Sequence, residues 1–284
     1  MLRRLASTLL IFFAAFCSYA RAEEWRKTYS IVGKPEMRVE TNDAEIRVSA
    51  GDLKNVEAVV TAQGYKIGSG GVTITEHQVG DRIELNLHTP SFHVFPFGLH
   101  KSVRVELNVP RDSDLDLHSG DGNITVENVS GTIMLRSGDG AIRVNAGKGS
   151  FHIETGDGRV ECRSIEGELR AETKDGAVQV DGLFTALDLH TGDGSIDAEA
   201  RPGSRMLSPW SVRTGDGNVN LGLPDGFSAD VDVHTGDGHI TLDFPVTVES
   251  GASLRQNAIR GKINGGGELL EIKTGDGNIR LRRA

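Results

Sequence analysis

Beyond residue 114 the chain alternates apolar and polar residues in short runs, each broken by the same small tetrapeptide. Two positions after the last glycine of that tetrapeptide stand Ile124, Ile142, Val160, Val178, Ile196, Val219, Ile240 and Ile279. Two further on come Val126, Val144, Cys162, Val180, Ala198, Leu221, Leu242 and Leu281, with polar Thr125, Arg143, Glu161, Gln179 and Asp197 between the first five pairs. A period of two predicts a strand with one buried face. A second strand precedes each following tetrapeptide, with inward pairs Ile133/Leu135, Phe151/Ile153, Leu169/Ala171 and Leu187/Leu189. No stretch repeats apolar residues at the helical spacing, and 36 glycines disfavour helix throughout.

The tetrapeptide itself sets the architecture. Gly-Asp-Gly occurs with Asp at 121, 139, 157, 193, 216, 237 and 276, and Lys174-Asp175-Gly176 fills the gap in the series. The first five aspartates are 18 residues apart; later spacings are 23, 21 and 39. Eighteen residues with two strands and two turns suit one coil of a two-layer parallel β-solenoid, in which like residues stack about 4.8 Å apart on successive coils. Asp-Gly between alternating segments is also a hairpin signal, so an antiparallel β-meander is the alternative. The 39-residue spacing leaves room for one extra coil without its signature. Residues 111–284 are the predicted solenoid and 23–110 a less regular β cap, where Thr41–Val48 reads as a degenerate first repeat.

Residues 1–22 carry Arg3 and Arg4, an apolar run from Leu9 to Phe16 and the small-residue site Ala20-Arg21-Ala22. This is the pattern of a secretory signal peptide, too short for a permanent span, so an exported chain starting near Glu23 is expected, in the periplasm or at the cell surface. No second hydrophobic segment follows, and no membrane span is expected in the mature chain. Its formal charge, -9 in full, becomes -12 when the three leader arginines leave. That balance speaks against nucleic acid or an anionic membrane as partner. One cysteine, Cys162, remains after cleavage, in an inward slot that marks it as a small buried hydrophobe.

The string from Val105-Glu106-Leu107-Asn108-Val109-Pro110 through the Ser/Thr-Gly-Asp-Gly series to Thr274-Gly275-Asp276-Gly277-Asn278-Ile279 resembles the bacterial adhesin family of exported β-strand-repeat proteins, a domain of unknown function. The resemblance implies an exported β-repeat domain and brings no active site with it.

Stacked aspartates about 5 Å apart repel by about 1 kcal/mol per neighbouring pair even at the dielectric of water. Local bonding offers one answer: the Asp side chain accepts from backbone two residues on, the glycines permit positive φ, and Ser119, Ser137, Thr155 or Thr191 supplies a hydroxyl. Calcium is the sharper one, with Asp121, Asp139, Asp157, Asp175 and Asp193 as candidate ligands. Calcium rolls need carboxylates at both turns, whereas the second turn here reads Val129-Ser130-Gly131, Gly147-Lys148-Gly149 and Ile165-Glu166-Gly167. No cofactor is expected. His118, His190 and His234 share a slot with residues of either charge, the mark of a solvated face. Phe92, Phe95, Phe97 and Trp210 fall on irregular segments and are the candidate binding residues, as anchors for a glycan or protein or as plugs of the solenoid. Gly-x-Ser-x-Gly, His-Glu-x-x-His and paired-cysteine motifs are lacking, so the reading is a non-catalytic envelope scaffold or adhesion module whose partner is an envelope protein or glycan. A glycan- or calcium-binding module is the alternative, and a polysaccharide-active enzyme, whose paired carboxylates leave no local motif, the third class.

Overall fold

The computed structural model describes residues 22–90, 101–247 and 257–284. They form strands and no helix, in two layers that face each other across one core. The front layer holds the strands that precede each Gly-Asp-Gly turn, and the back layer those that follow. From Asp114 to Leu223 each coil pairs with the next in parallel, in register except for shifts where Val160–Thr173 meets Val178–Thr191: Ile133 lies beside Leu115 and Phe151, and Val144 beside Val126 and Cys162. Parallel pairing decides for the solenoid over the meander, because a hairpin would have set neighbouring strands antiparallel. The inward positions read from the alternation are buried, among them Ile124, Leu135, Ile153, Val160 and Leu189, except Ile240 and Leu242, which are half-buried.

Spatial order departs from chain order at both ends. The first coil, strands Glu36–Thr41 and Glu45–Gly51, sits between Arg82–His88 and Ser102–Pro110 on one side and the coil of Asp114–Ser119 and Ile124–Glu127 on the other. The coil of Leu269–Thr274 and Ile279–Arg283 is likewise inserted between Trp210–Thr214 and Val219–Leu223 on one side and Ala229–Thr235 and Ile240–Leu242 on the other. Stacking of identical turns allows this, since each coil presents the same hydrogen-bonding edge.

Antiparallel strands then close the stack. At one end Thr73–Val79 folds back on Arg82–His88, while Glu23–Ser30 and Asn55–Gln63 extend the back layer. Tyr29 ties the two layers by donating to Glu76 Oε2 at 2.7 Å, and Lys27 pairs with the same carboxylate. Burial, followed by that hydrogen bond, pushes the Tyr29 phenol above its ordinary pKa. At the other end Ala258–Ile263 lies antiparallel on Ala229–Thr235 and pairs with Val246–Thr247. Among the described residues the 39-residue spacing therefore holds a covering hairpin and not the expected extra coil. Phe244, Ile259 and Ile263 bury their side chains there, over core that the parallel stack alone would leave open.

Candidate functional site

The turn that carries the aspartates is held by its first residue. Ser137 Oγ accepts from the Gly140 amide at 3.0 Å and donates to the Gly122 carbonyl of the preceding coil at 2.9 Å. Thr191 does the same between Gly194 (3.1 Å) and Gly176 (2.9 Å), and Thr274 between Gly277 (3.2 Å) and Gly217 (2.8 Å). Ser119, Thr155, Thr173, Thr214 and Thr235 donate to the matching carbonyls, all from buried positions. A ladder of hydroxyls thus stitches coil to coil along one edge. Each buried hydroxyl satisfies backbone groups that would otherwise be stranded, at about 1–3 kcal/mol apiece.

Two sequence expectations about this turn are corrected. The aspartate side chains of the eight turns accept no hydrogen bond and form no ion pair among the described residues: the amide two residues on is taken elsewhere, as Ala141 N–H donates to Asn123 Oδ1 of the preceding coil at 2.8 Å, while the Ser/Thr hydroxyl takes the nearer glycine amide, as Ser137 does from Gly140. The flanking glycines also lack positive φ. They are required by close approach: a Cβ on Gly138 or Gly140 would fall inside contact distance of the Gly120 or Gly122 carbonyl oxygen. Positive φ belongs to the other turn, at Asn128 (60°), Ala146 (55°) and Ser164 (55°), and at Gly149 (125°). What remains at the first edge is a row of exposed carboxylates, Asp121 to Asp193 and then Asp216, Asp276 and Asp237, one per coil.

The outer surface of the front layer is laced with ion pairs across strands. Arg136 reaches Asp116 at 3.6 Å and Glu154 at 3.2 Å, Arg213 and Lys273 converge on Glu271, and Arg260 holds Asp232 at 3.0 Å. A hydrogen bond with His152, at 2.6 Å, and then the charge of Arg136 hold the Glu154 carboxyl below its usual range. Lys273 and Arg213 do the same for Glu271. His118, His190 and His234 all lie outward on this face, as their mixed slot implied. A groove of about 470 Å³ opens at its N-terminal end, lined by Asn86, His88 and His118 among others.

Trp210 does not stand on a loop surface. It is fully buried, with Phe184 edge-on at a centroid distance of 6.3 Å and Phe227 at 5.2 Å, so it packs the core where the lengthened repeat returns to register. Its reading as a binding anchor gives way to packing, because the ring is enclosed on all sides. Phe92, Phe95 and Phe97 lie outside the described residues. Cys162 is buried, and burial raises its thiol well above the ordinary range, which leaves it unreactive. No group of three or more His, Cys, Asp or Glu among the described residues is placed to hold a metal ion. Among the described residues there is no helix long and apolar enough to cross a membrane.

The fold and its hydroxyl-stitched turns define a two-layer parallel β-solenoid protein. The profile of the Toastrack DUF4097 family matches residues 35–282, and the chain belongs to that family. No curated protein matches it. Among solved structures it is similar to a candidate cell adhesion protein from Clostridium sporogenes, at 12% identity over 93% of this chain and 100% of that one, with a TM-score of 0.32. A candidate adhesin from Bacteroides fragilis matches at 8% identity over 91% and 97%, with a TM-score of 0.41. A candidate lipid-binding protein from Parabacteroides distasonis matches at 13% over 91% and 96%, with a TM-score of 0.46.

Proposed function

We propose that this chain is an exported, non-catalytic scaffold or adhesion module of the bacterial envelope, acting in the periplasm or at the cell surface on a protein or glycan partner. The observation that carries the reading is the carboxylate row. The turns are already satisfied by hydroxyls and close-packed glycines, so the aspartates add repulsion without contributing a bond to the fold. A charged group retained at every coil without a structural task suits repeated contact with a partner, where many weak contacts combine. Calcium bridging is a second reading, favoured by the same unpaired carboxylates and opposed by a second turn that offers few oxygens.

The test is a pull-down from the native envelope with the purified protein and with a variant in which Asp121, Asp139, Asp157, Asp175 and Asp193 are all changed to Asn. The parent should retain a partner that the variant loses, with chelator present throughout. Equal retention by both, or none by the parent, would sink the proposal. Retention by the parent only in a parallel run without chelator would favour the calcium reading.

A further inference from the structure

The groove at the N-terminal end of the front layer differs in chemistry from the rest of that face. Four adjacent strands build it: Thr73–Val79, Arg82–His88, Glu36–Thr41 and Asp114–Ser119. Register places Thr75 opposite Asn86, Asn86 beside Glu40, and Glu40 beside His118, with Thr73 opposite His88 in the next row. These outward groups span about 14 Å at the usual strand spacing. At the centre of the face comparable positions are tied into ion pairs, as in Arg136 with Asp116 and Glu154. Here the hydroxyls of Thr73 and Thr75, the Asn86 amide and both imidazoles have no hydrogen-bond or ion-pair partner among the described residues. Glu40 has only a 3.9 Å approach from Arg38.

We propose that this groove binds a neutral oligosaccharide, an inference that deepens the adhesion reading above and rests on it. Hydroxyl and amide groups donate and accept at one site, and a neutral imidazole does so through its two nitrogens, which is what a sugar hydroxyl needs. The one carboxylate, Glu40, accepts from a pair of neighbouring hydroxyls. An anionic ligand fits poorly, because the nearest cations are already engaged: Arg136 by Asp116 and Glu154, and Arg38 by Glu40 and by Asp116 at 3.8 Å. The volume of about 470 Å³ falls in the ordinary range for small-ligand sites. The frame is also fixed. Asn42 clamps the exit of the Arg82–His88 strand by donating to the Thr89 carbonyl and accepting from the Thr89 amide, both at 2.9 Å, which holds His88 in place.

The experiment is an array of immobilised neutral and acidic oligosaccharides probed with the labelled purified protein in chelator. A double variant, Asn86→Ala with His118→Ala, and a control on an exposed residue outside both the groove and the carboxylate row, Glu168→Gln, run alongside. The parent and the control should be retained on neutral oligosaccharides, and the double variant at least tenfold less, with its melting temperature unchanged. Both altered residues are exposed, so folding should survive; if the double variant melts early, Thr75→Val on the same strands takes its place. Retention on acidic sugars alone, on none, or equally by groove variant and parent overturns the proposal. A failed array beside a successful envelope pull-down removes the sugar site and leaves the scaffold reading intact.

Discussion

The two turns of each coil solve the same reversal by opposite means. At the Gly-Asp-Gly turn the backbone keeps ordinary φ values, and glycine is needed because adjacent coils press together around a buried hydroxyl. At the second turn the backbone enters the left-handed region, even at Ala146 and Ser164, and no hydroxyl ladder crosses it. The consequence is visible in where the chain varies. The lengthened repeat places residues 201–209 at the second turn, and both end insertions leave and re-enter there, after Gly51 and after Leu223. The close-packed turn fixes the stack, and the looser one absorbs every departure from 18 residues.

Substitutions can break or sharpen that contrast. The largest effect should come from neither turn: Val160→Asp places an unpaired charge in the core between the layers and should cost several kcal/mol, whereas Glu161→Lys on the outer face should cost little. Urea unfolding of both variants checks the assignment of faces, and equal losses would show it to be inverted. Next comes Gly140→Ala, which forces a Cβ onto the neighbouring carbonyl and should cost about 3 kcal/mol or more. Ala146→Gly, at the other turn, relieves a left-handed residue at some entropic cost and should shift stability by about 1 kcal/mol at most. Similar losses at the two positions would erase the distinction. Thr191→Val strands the Gly194 amide and the Gly176 carbonyl and should cost about 2 kcal/mol.

Acid and calcium should act more weakly. Glu154 and Glu271 titrate below the ordinary carboxylate range when folded, so their pairs stabilise the protein above about pH 4.5 and lose that contribution as pH falls through the lower folded values. Melting temperature against pH should therefore be flat near neutrality and decline below about pH 4, less steeply in Glu271→Gln. Calcium should raise the melting temperature no more than sodium at matched ionic strength, and chelator should leave the fold intact. Unfolding in chelator alone would return the aspartates to a structural, metal-binding role.

Much of this was legible from the chain. Alternation at period two, repeated every 18 residues, marks the inward columns, because Val160, Cys162 and Leu169 recur with their counterparts at fixed offsets. The insertion of the first and last coils was hidden for the same reason: repeats with identical edges carry no label for which neighbour they choose. The turn was misassigned because Asp and Gly are general turn formers, while the Ser/Thr column, present in all eight turns, was the better signal of a shared buried bond. Trp210 misled because a loop position in sequence became a core position once the insertion folded back on Phe184.

The central claim is that the carboxylate row is surplus to the fold. Urea unfolding of the triple variant Asp139→Asn, Asp157→Asn, Asp175→Asn measures it directly, with Thr191→Val as the reference. The triple variant should unfold at the same urea concentration as the parent or slightly above it, since removing neighbouring charges relieves about 1 kcal/mol of repulsion per pair. A loss equal to or greater than that of the single Thr191→Val would contradict the account and return the aspartates to the framework of the turn.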